Sequence, residues 1–416
     1  MRHLLFPGLI VVLAACGDPG ATSSPAAEVT DSAGIRVVTT PPGDAVYAEL
    51  AEEPALSIGD FAGPEEILFG DIESVARDVA GNLVVADDQA LQIRVFDPEG
   101  NHLRALGREG EGPGEFESLQ GAWPVEDGGI LAVDFRDITL FGADGTPVRT
   151  GRLLGPDRAA VLPIGLSGPG VLLSSASPYR FPTAAALSAE DVLRALLDDL
   201  NPPTFFIRHR LADGILIDTV AEWSNHRMAP VSSGERRDLG GGRFSQTVSM
   251  QIPFAPRSAA AGSPHGVAFT GGVDFEIDVF DGAGSLRIIA RLDEAPPVLT
   301  DAHLEAYATS SGTRERTAAS IRRSIESYRE LPLPGALPGY MSLLIADTGE
   351  IWALRYAIRG ARVRRWDIFA ADGVYLGRVA VPASFRVEEV SRGQALGVAT
   401  DELGVERVQI RELTLK

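Results

Sequence analysis

The sequence predicts an all-β fold: a six-bladed β-propeller with four strands per blade. Three observations lead there. First, a unit made of an apolar segment, a small-residue break and a second apolar segment recurs as "VFDPEGNHLRALG", "LFGADGTPVRTGRL", "HRLADGILIDTVAEW", "VFDGAGSLRIIARL" and "IFAADGVYLGRVAV". Second, another glycine-bearing turn precedes these units and closes the series, in "DVAGNLVVAD", "VEDGGILAVD", "LSGPGVLLSS", "GSPHGVAFTG", "ADTGEIWALR" and "SRGQALGVATD". Third, the last unit ends in "VERVQIRELTLK" without an outer turn, so its missing strand must come from the other end of the chain. Self-similarity at this spacing indicates a blade array, and closing the ring with an N-terminal strand protects an otherwise open edge.

From the N-terminus, "MRHLLFPGLIVVLAAC" has a basic start, a short apolar run and small residues before a cysteine, the pattern of an export signal. The run is too short to span a bilayer as a stable helix. It resembles a bacterial lipoprotein signal, its lipobox matched by Leu13, Ala14, Ala15 and Cys16. That resemblance implies cleavage after residue 15 and diacylglycerol on Cys16. Cys16 is the only cysteine of the 416 residues, so a disulfide within the chain is excluded. Residues 16–30 are small, polar and rich in Pro and Gly, as expected of a flexible tether, and the propeller is expected over 31–416.

Each of Gly100, Gly145, Gly214, Gly284 and Gly373 sits where a tight turn between strands needs a positive φ. The segments after the preceding turns, such as Leu83 to Ala86, are dense in apolar residues, as strands buried on both faces are. Two segments could close the ring: "TDSAGIRVVTT", with Gly34 at the turn and Ile35 to Val38 as the strand, or "PALSIG" at 54–59.

With these units in place, the chain resembles the NHL-type six-bladed propellers and the group of bacterial lipoproteins built on that propeller. The resemblance is carried by residues 72–119, which include "LVVADDQALQIRVFDPEGNHLRALGREGEGPGEFESL", and by "LGVATDELGVERVQIREL" near the end. It extends over 31–416 and is clear in blades one, two, five and six.

In an up-and-down blade with strands a to d, the a–b and c–d turns share one face, while the b–c turns and d-to-a linkers share the other. The short glycine turns all belong to the first face. The long insertions, 174–204, 222–245 and 293–340, fall on the second, which makes it the expected binding face. Helical insertions are expected near 183–200, with Ser188 as N-cap of "SAEDVLRALLDDL", and near 300–331, with Ile321, Ile325 and Tyr328 on one stripe. The stretch "GREGEGPGEF" at 107–116 reads as a d-to-a linker, with a weaker copy beginning at Gly59. Its glutamates would repel a phosphate, and no helix follows to attract one.

The formal charge is -20, and Lys416 is the only lysine among the 37 basic residues. Nucleic acid and anionic membrane surfaces are therefore unsuitable partners, and the membrane is expected to be met through the lipid alone. Asp87, Asp134 and Asp401 recur at the ends of b strands near the channel mouth. They are candidates for the ligand face together with Arg136 and Arg355. Each carboxylate could hold calcium or cap its own turn. Trp123 and Trp352 lie in or beside inner strands and are expected to pack between blades. Arg314, Arg316, Arg322 and Arg323 form a candidate anion-binding cluster, against the alternative of a solvated helix face. The five histidines outside the signal and the lack of a G-x-S-x-G elbow offer no nucleophile–base pair.

The expectation is a lipid-anchored cell-envelope protein, exported from the cytoplasm, that binds or scaffolds a protein, peptide or glycan. No cofactor is required, although calcium is compatible. The alternative is a calcium- or zinc-dependent lactonase-like hydrolase or lyase on the same propeller, since gluconolactonase-like propellers hold a divalent cation over the central channel.

Overall fold

The computed structural model describes residues 27–416 except 136, 157–158, 160, 178–200, 212–213, 225–226, 238–242 and 311–316. Cys16, most of the tether and the expected helix at 183–200 lie outside the described residues.

Six sheets surround a central axis. Blade 1 comprises Ile72–Arg77, Leu83–Asp87, Gln92–Phe96 and His102–Leu106. Blade 2 comprises Leu119–Pro124, Ile130–Asp134, Asp137–Phe141 and Pro147–Arg152. Blade 3 comprises Val161–Leu166, Val171–Ala176, Thr204–Arg210 and Leu216–Trp223. Blade 4 comprises Ala259–Ser263, Gly266–Thr270, Glu276–Phe280 and Leu286–Leu292. Blade 5 comprises Tyr340–Ile345, Ile351–Arg355, Val363–Phe369 and Tyr375–Pro382. Blade 6 has Phe385–Ser391, Gln394–Thr400 and Glu406–Leu415 from the C-terminus. The inner strands neighbour one another in chain order, and the sixth meets the first.

The choice of closing strand is decided between the two candidates. A short strand, Leu56–Ile58, pairs antiparallel with the last strand, Val408 opposite Ile58 and Ile410 opposite Leu56. The hairpin formed by β1 (Glu28–Ser32) and β2 (Ile35–Thr40) instead adds to the outer edge of blade 4, where β2 runs parallel to Leu286–Leu292. Between these two segments, β3 (Ala48–Leu50) pairs with the end of the last strand, and the closing segment is β4 (Leu56–Ile58). A single pattern cannot distinguish the two segments, because both present an apolar strand of compatible length to an unpaired outer edge.

The expected turn glycines adopt the left-handed conformation, with φ of +89° at Gly100, +82° at Gly145, +70° at Gly214, +80° at Gly284 and +88° at Gly373. The turn around Gly100 shows the mechanism. Asp97 Oδ1 accepts from the Glu99 and Asn101 amides, and Asn101 Nδ2 donates to Asp97 Oδ2 at 2.8 Å. This side-chain turn holds Asp97 below the usual carboxylate range, Asn101's side chain being the chief cause.

The core is a set of blade-to-blade seams. Ile93, Phe116 and Phe141 pack blade 1 on blade 2, while Ile72, Val85 and Val408 pack blade 6 on blade 1. Strands b are buried on both faces; Leu83–Asp87 is buried throughout. The insertions build a smaller core of their own. The hairpin Met228–Arg237 and Arg243–Gln251 leads into Ile252 and Phe254, which pack near helices α1 (Asp301–Ser310) and α2 (Ala318–Arg329). Thr317 caps α2 by accepting from the Ser320 amide, and Ile325 and Tyr328 supply its inward stripe.

Candidate functional site

Inner strands of a propeller have no neighbour on the channel side, so a residue ejected from the ladder there points at the axis. Five of the six inner strands eject one. In blade 1, Ile72 pairs with Asp87 and Ser74 with Ala86, leaving Glu73 as a bulge. The same irregularity leaves out Gln120 in blade 2, Ile164 in blade 3, Met341 in blade 5 and Glu388 in blade 6. Blade 4 keeps a regular ladder from Ala259 to Ser263. Such bulges re-aim side chains at functional sites. Here they are chemically uneven: Glu388, Glu73 and Gln120 stand on three successive blades, and the next blade presents Ile164.

Glu73, Gln120, Ile164 and Glu388 line a cavity of about 730 Å³ at the centre of the ring. Its other lining separates into two halves. Trp123, Leu166, Ala260 and Leu344 make the walls of blades 2 to 5 largely apolar, while Arg77, Glu389 and Arg392 join the two bulged glutamates on blades 1 and 6. Gly121 makes room for the Trp123 indole: a Cβ there, where φ is +154°, would come within 2.6 Å of the ring.

Glu388 is pushed up to about 7, first by burial and then by the charge of Glu73, although Arg386 contacts its Oε1 at 2.5 Å. Glu73 is raised as well, chiefly by desolvation and then by Asp71, Asp88 and Glu406, with Arg386 pulling the other way. The Oε1 atom of Gln120 is buried and has no hydrogen-bond partner in the protein. Asp71, Glu73 and Asp88 can bring carboxylate oxygens within 4.8 Å of one another, the one such group of metal-ligating side chains among the described residues. Asp88 Oδ1 there already accepts from the Leu119 amide at 2.6 Å.

The cavity extends to the a–b turns, where Asp78, His265, Asp347 and Arg392 surround it. This rim is cross-linked between blades. Arg77 donates to Ser391 Oγ at 2.9 Å and Gln394 Oε1 at 3.0 Å, and its backbone amide donates to Glu389. The Arg392 amide donates to Asp347 Oδ2, and His265 Nε2 is 2.9 Å from the Asp347 carbonyl.

The residues anticipated from sequence lie elsewhere. Asp87 is fully buried and accepts from the Gly70, Asp71 and Ala90 amides and from Arg94. Asp134 accepts from the Glu117 and Ser118 amides. Both carboxylates therefore clamp the incoming linker to its blade. Asp401 closes its own turn through the Leu403 and Val405 amides and pairs with Arg407. Arg355 bridges Glu294 and Asp367 and lies 4.2 Å from the Phe275 ring centroid. Burial would lower its pKa, but Glu294 and Asp367 hold it well above the usual range. None of these four lines the cavity. Arg136, Arg314 and Arg316 lie outside the described residues, while Arg322 and Arg323 are exposed on α2.

Trp352 is buried between blades 5 and 6, edge-on to Trp366, and Trp123 packs against the blade 2–3 seam while also lining the cavity. His209 is fully buried, bridging Ser174 Oγ and the Leu154 carbonyl, with its pKa lowered by burial. In the linker 107–116, Arg108 pairs with Glu115, which also accepts from the Gly112 amide. A Cβ on Gly107 would overlap the Phe116 ring, so this glycine-rich stretch serves blade-to-blade packing.

The cavity also departs from the expected location. The described parts of the long insertions contribute nothing to its lining, and it reaches the face of short turns. The bulges that define it could not be anticipated, because no residue type is common to the ejected positions of "IESVA", "LQGAW", "LPIGL", "YMSLL" and "RVEEV", which hold Glu, Gln, Ile, Met and Glu.

A family model described as a 6-bladed beta-propeller, DUF5128, matches residues 62–153, which contain blades 1 and 2. No curated protein sequence matches the chain. Solved structures similar to it include a member of the DUF4221 family from Bacteroides vulgatus, at 11% identity and TM-score 0.48, covering 89% of this chain and 99% of that one. A gluconolactonase from Xanthomonas campestris is similar at 12% identity and TM-score 0.42, covering 88% and 99%. Virginiamycin B lyase from Staphylococcus aureus is similar at 12% identity and TM-score 0.37, covering 83% and 95%.

Proposed function

We propose that the protein is a binding module of the bacterial cell envelope, exported and held by lipid on Cys16, and that it takes a segment of a peptide or glycan partner into its central cavity. The observation that carries this reading is the ring of bulged inner strands. Those strands turn otherwise ladder-bound positions toward a 730 Å³ space with one polar and one apolar half. Cavities of this size in which apolar walls meet a few convergent polar groups are the usual form of a ligand site. The indole of Trp123 supplies a large, rigid contact surface for a sugar face or an apolar side chain.

Calorimetric titration with a panel of short peptides and oligosaccharides tests the reading. Binding that Trp123→Ala weakens by about tenfold or more supports it, and binding unaffected by that change places the site elsewhere. The anchor is tested separately: Cys16→Ala is expected to release the protein from membranes, and continued retention counts against lipidation.

A second reading, a calcium- or zinc-dependent hydrolase or lyase, draws on the approach of Asp71, Glu73 and Asp88, since Glu73 also faces the cavity. Stoichiometric metal in the purified protein, together with chelator-sensitive lactone hydrolysis, would favour this reading over the binding role.

A further inference from the structure

We infer that the central cavity selects ligands that carry a protonated amine on an apolar body, the amine received by Glu388, Glu73 and Gln120 and the apolar part by Trp123 and Ile164. This inference rests on the cavity being the binding site.

The three receiving groups are equivalent positions on successive blades, each ejected from its ladder and each lining the cavity. All three offer oxygen. The Gln120 Oε1 is buried without a partner, and a buried acceptor of that kind is satisfied by a donor from a ligand or from water. An ammonium group brings three donors and a positive charge in a compact head.

The charge balance favours the same class. Arg386 is the guanidinium in contact with Glu388, and it serves Glu73 as well only at longer range. Asp71, Asp88 and Glu406 add negative potential around Glu73. An anion would meet this field unfavourably, and a neutral hydroxyl could donate one hydrogen bond but would leave the field uncompensated. At the other end of the cavity, the Arg77 guanidinium is committed to Ser391 and Gln394, and Arg392 stands at the a–b turn rim with Asp78 and Asp347.

The apolar requirement comes from the opposite arc. Trp123 and Ile164 stand on blades 2 and 3, whereas Glu388 is on blade 6, and blade 4 presents Ala260 and Ala261 without a polar bulge. A bare inorganic cation would use the oxygens and leave this wall in water, whereas an amine attached to an aromatic or branched side chain uses both halves. A peptide N-terminus and a small arylalkylamine share this chemistry.

The test is calorimetric titration of the full-length protein in detergent, with EDTA present throughout so that no bound metal mediates the result. The probes are leucyl-phenylalanine amide, its N-acetylated neutral form, N-acetyl-leucyl-phenylalanine as the anion, and phenethylamine as the non-peptide amine. The expected result is at least a tenfold preference for the free amine over the acetylated amide. Glu388→Gln and Glu73→Gln should each remove most of that preference by weakening the free amine far more than the acetylated form. Phenethylamine binding with the same dependence would identify the amine, rather than the peptide backbone, as the recognised group. Thermal unfolding of each variant checks that it is folded. If the neutral or anionic peptide binds as well as the amine, and Trp123→Ala abolishes that binding, the amine inference is overturned while the cavity reading stands. If no probe binds the wild-type protein, the amine inference is overturned, and a negative result from the wider peptide and oligosaccharide panel as well would overturn the cavity reading.

Discussion

Arg355 Nε donates to Asp367 Oδ2 across 2.6 Å in blade 5, where Asp367 is completely shielded from solvent and Tyr340 also donates to it at 2.9 Å. The same guanidinium reaches Glu294 at the start of the 293–340 insertion, so one side chain ties that insertion to the propeller wall. Burial pushes Asp367 up despite both donors, and its Oδ1 has no hydrogen-bond partner. The network is thus costly to assemble and costly to break from one side.

Arg355→Met is therefore expected to destabilise the protein by about 3–5 kcal/mol, the usual cost of leaving one member of a buried ion pair uncompensated. Asp367→Asn in the same background should recover part of that loss, because a neutral amide can still accept from Tyr340. Urea unfolding midpoints of the single and double variants measure this. A double variant no more stable than Arg355→Met would refute the account.

Glu388 makes stability pH-dependent in a defined direction. Its folded-state pKa is raised to about 7, above the ordinary glutamate value, with Arg386 and Glu73 as the charged groups facing it. The folded protein holds this proton to higher pH than the unfolded chain, so the contribution is fully present below the ordinary value and is lost as pH rises toward 7. Glu388→Gln should flatten that fall and stabilise the protein at pH 8 by about 1–2 kcal/mol, a range reduced to allow for solvent reaching the carboxyl. Melting temperatures between pH 5 and 8 provide the comparison, and parallel profiles for variant and wild type would contradict it.

Two turn glycines separate backbone strain from steric overlap. Gly34 and Gly373 have nearly the same φ, +84° and +88°. A Cβ at Gly34 meets nothing within 4 Å, whereas one at Gly373 comes within 2.7 Å of Ile288 in the neighbouring blade. Gly34→Ala should cost about 1 kcal/mol for the left-handed conformation alone. Gly373→Ala should cost about 1–3 kcal/mol more, as overpacking does. Equal losses in chemical denaturation would show that the blade 4–5 seam yields without penalty.

The two N-terminal segments should differ in importance. Removing residues 27–41 takes away the β1–β2 hairpin on blade 4, which still retains its own four strands. Removing 27–60 also takes away β4 and the buried Ile58, leaving the last blade open at its edge. The second truncation is expected to unfold at a much lower temperature and to aggregate. Similar melting temperatures and monodispersity for both would argue against β4 as the closure.

Much of the architecture was legible because it is locally encoded. Gly100, Gly145, Gly214, Gly284 and Gly373 mark positive-φ turns through the absence of a side chain, and the apolar runs between them must be buried on both faces. Asp87 and Asp134 were legible as recurrent carboxylates but not in their role. Their partners, the amides of Gly70, Asp71, Glu117 and Ser118, come from linkers about 16 residues away and reach them only after the linker folds back. Trp123 was legible as a seam residue and does pack against the blade 2–3 core, but its second role, lining the cavity beside Gly121, was not legible.

The sequence by itself determined the blade count, the order of the strands, the turn positions and the side on which insertions gather, since each follows from residue type and spacing along one stretch of chain. Tertiary structure decided which N-terminal segment closes the ring and which side chains face its centre. Strand pairing between distant segments is chosen by competition for an open edge, and a bulge exists only relative to the partner strand it fails to match. Glu73, Gln120 and Glu388 are 47 or more positions apart in the chain. They become one site because closing the ring brings blades 6, 1 and 2 side by side.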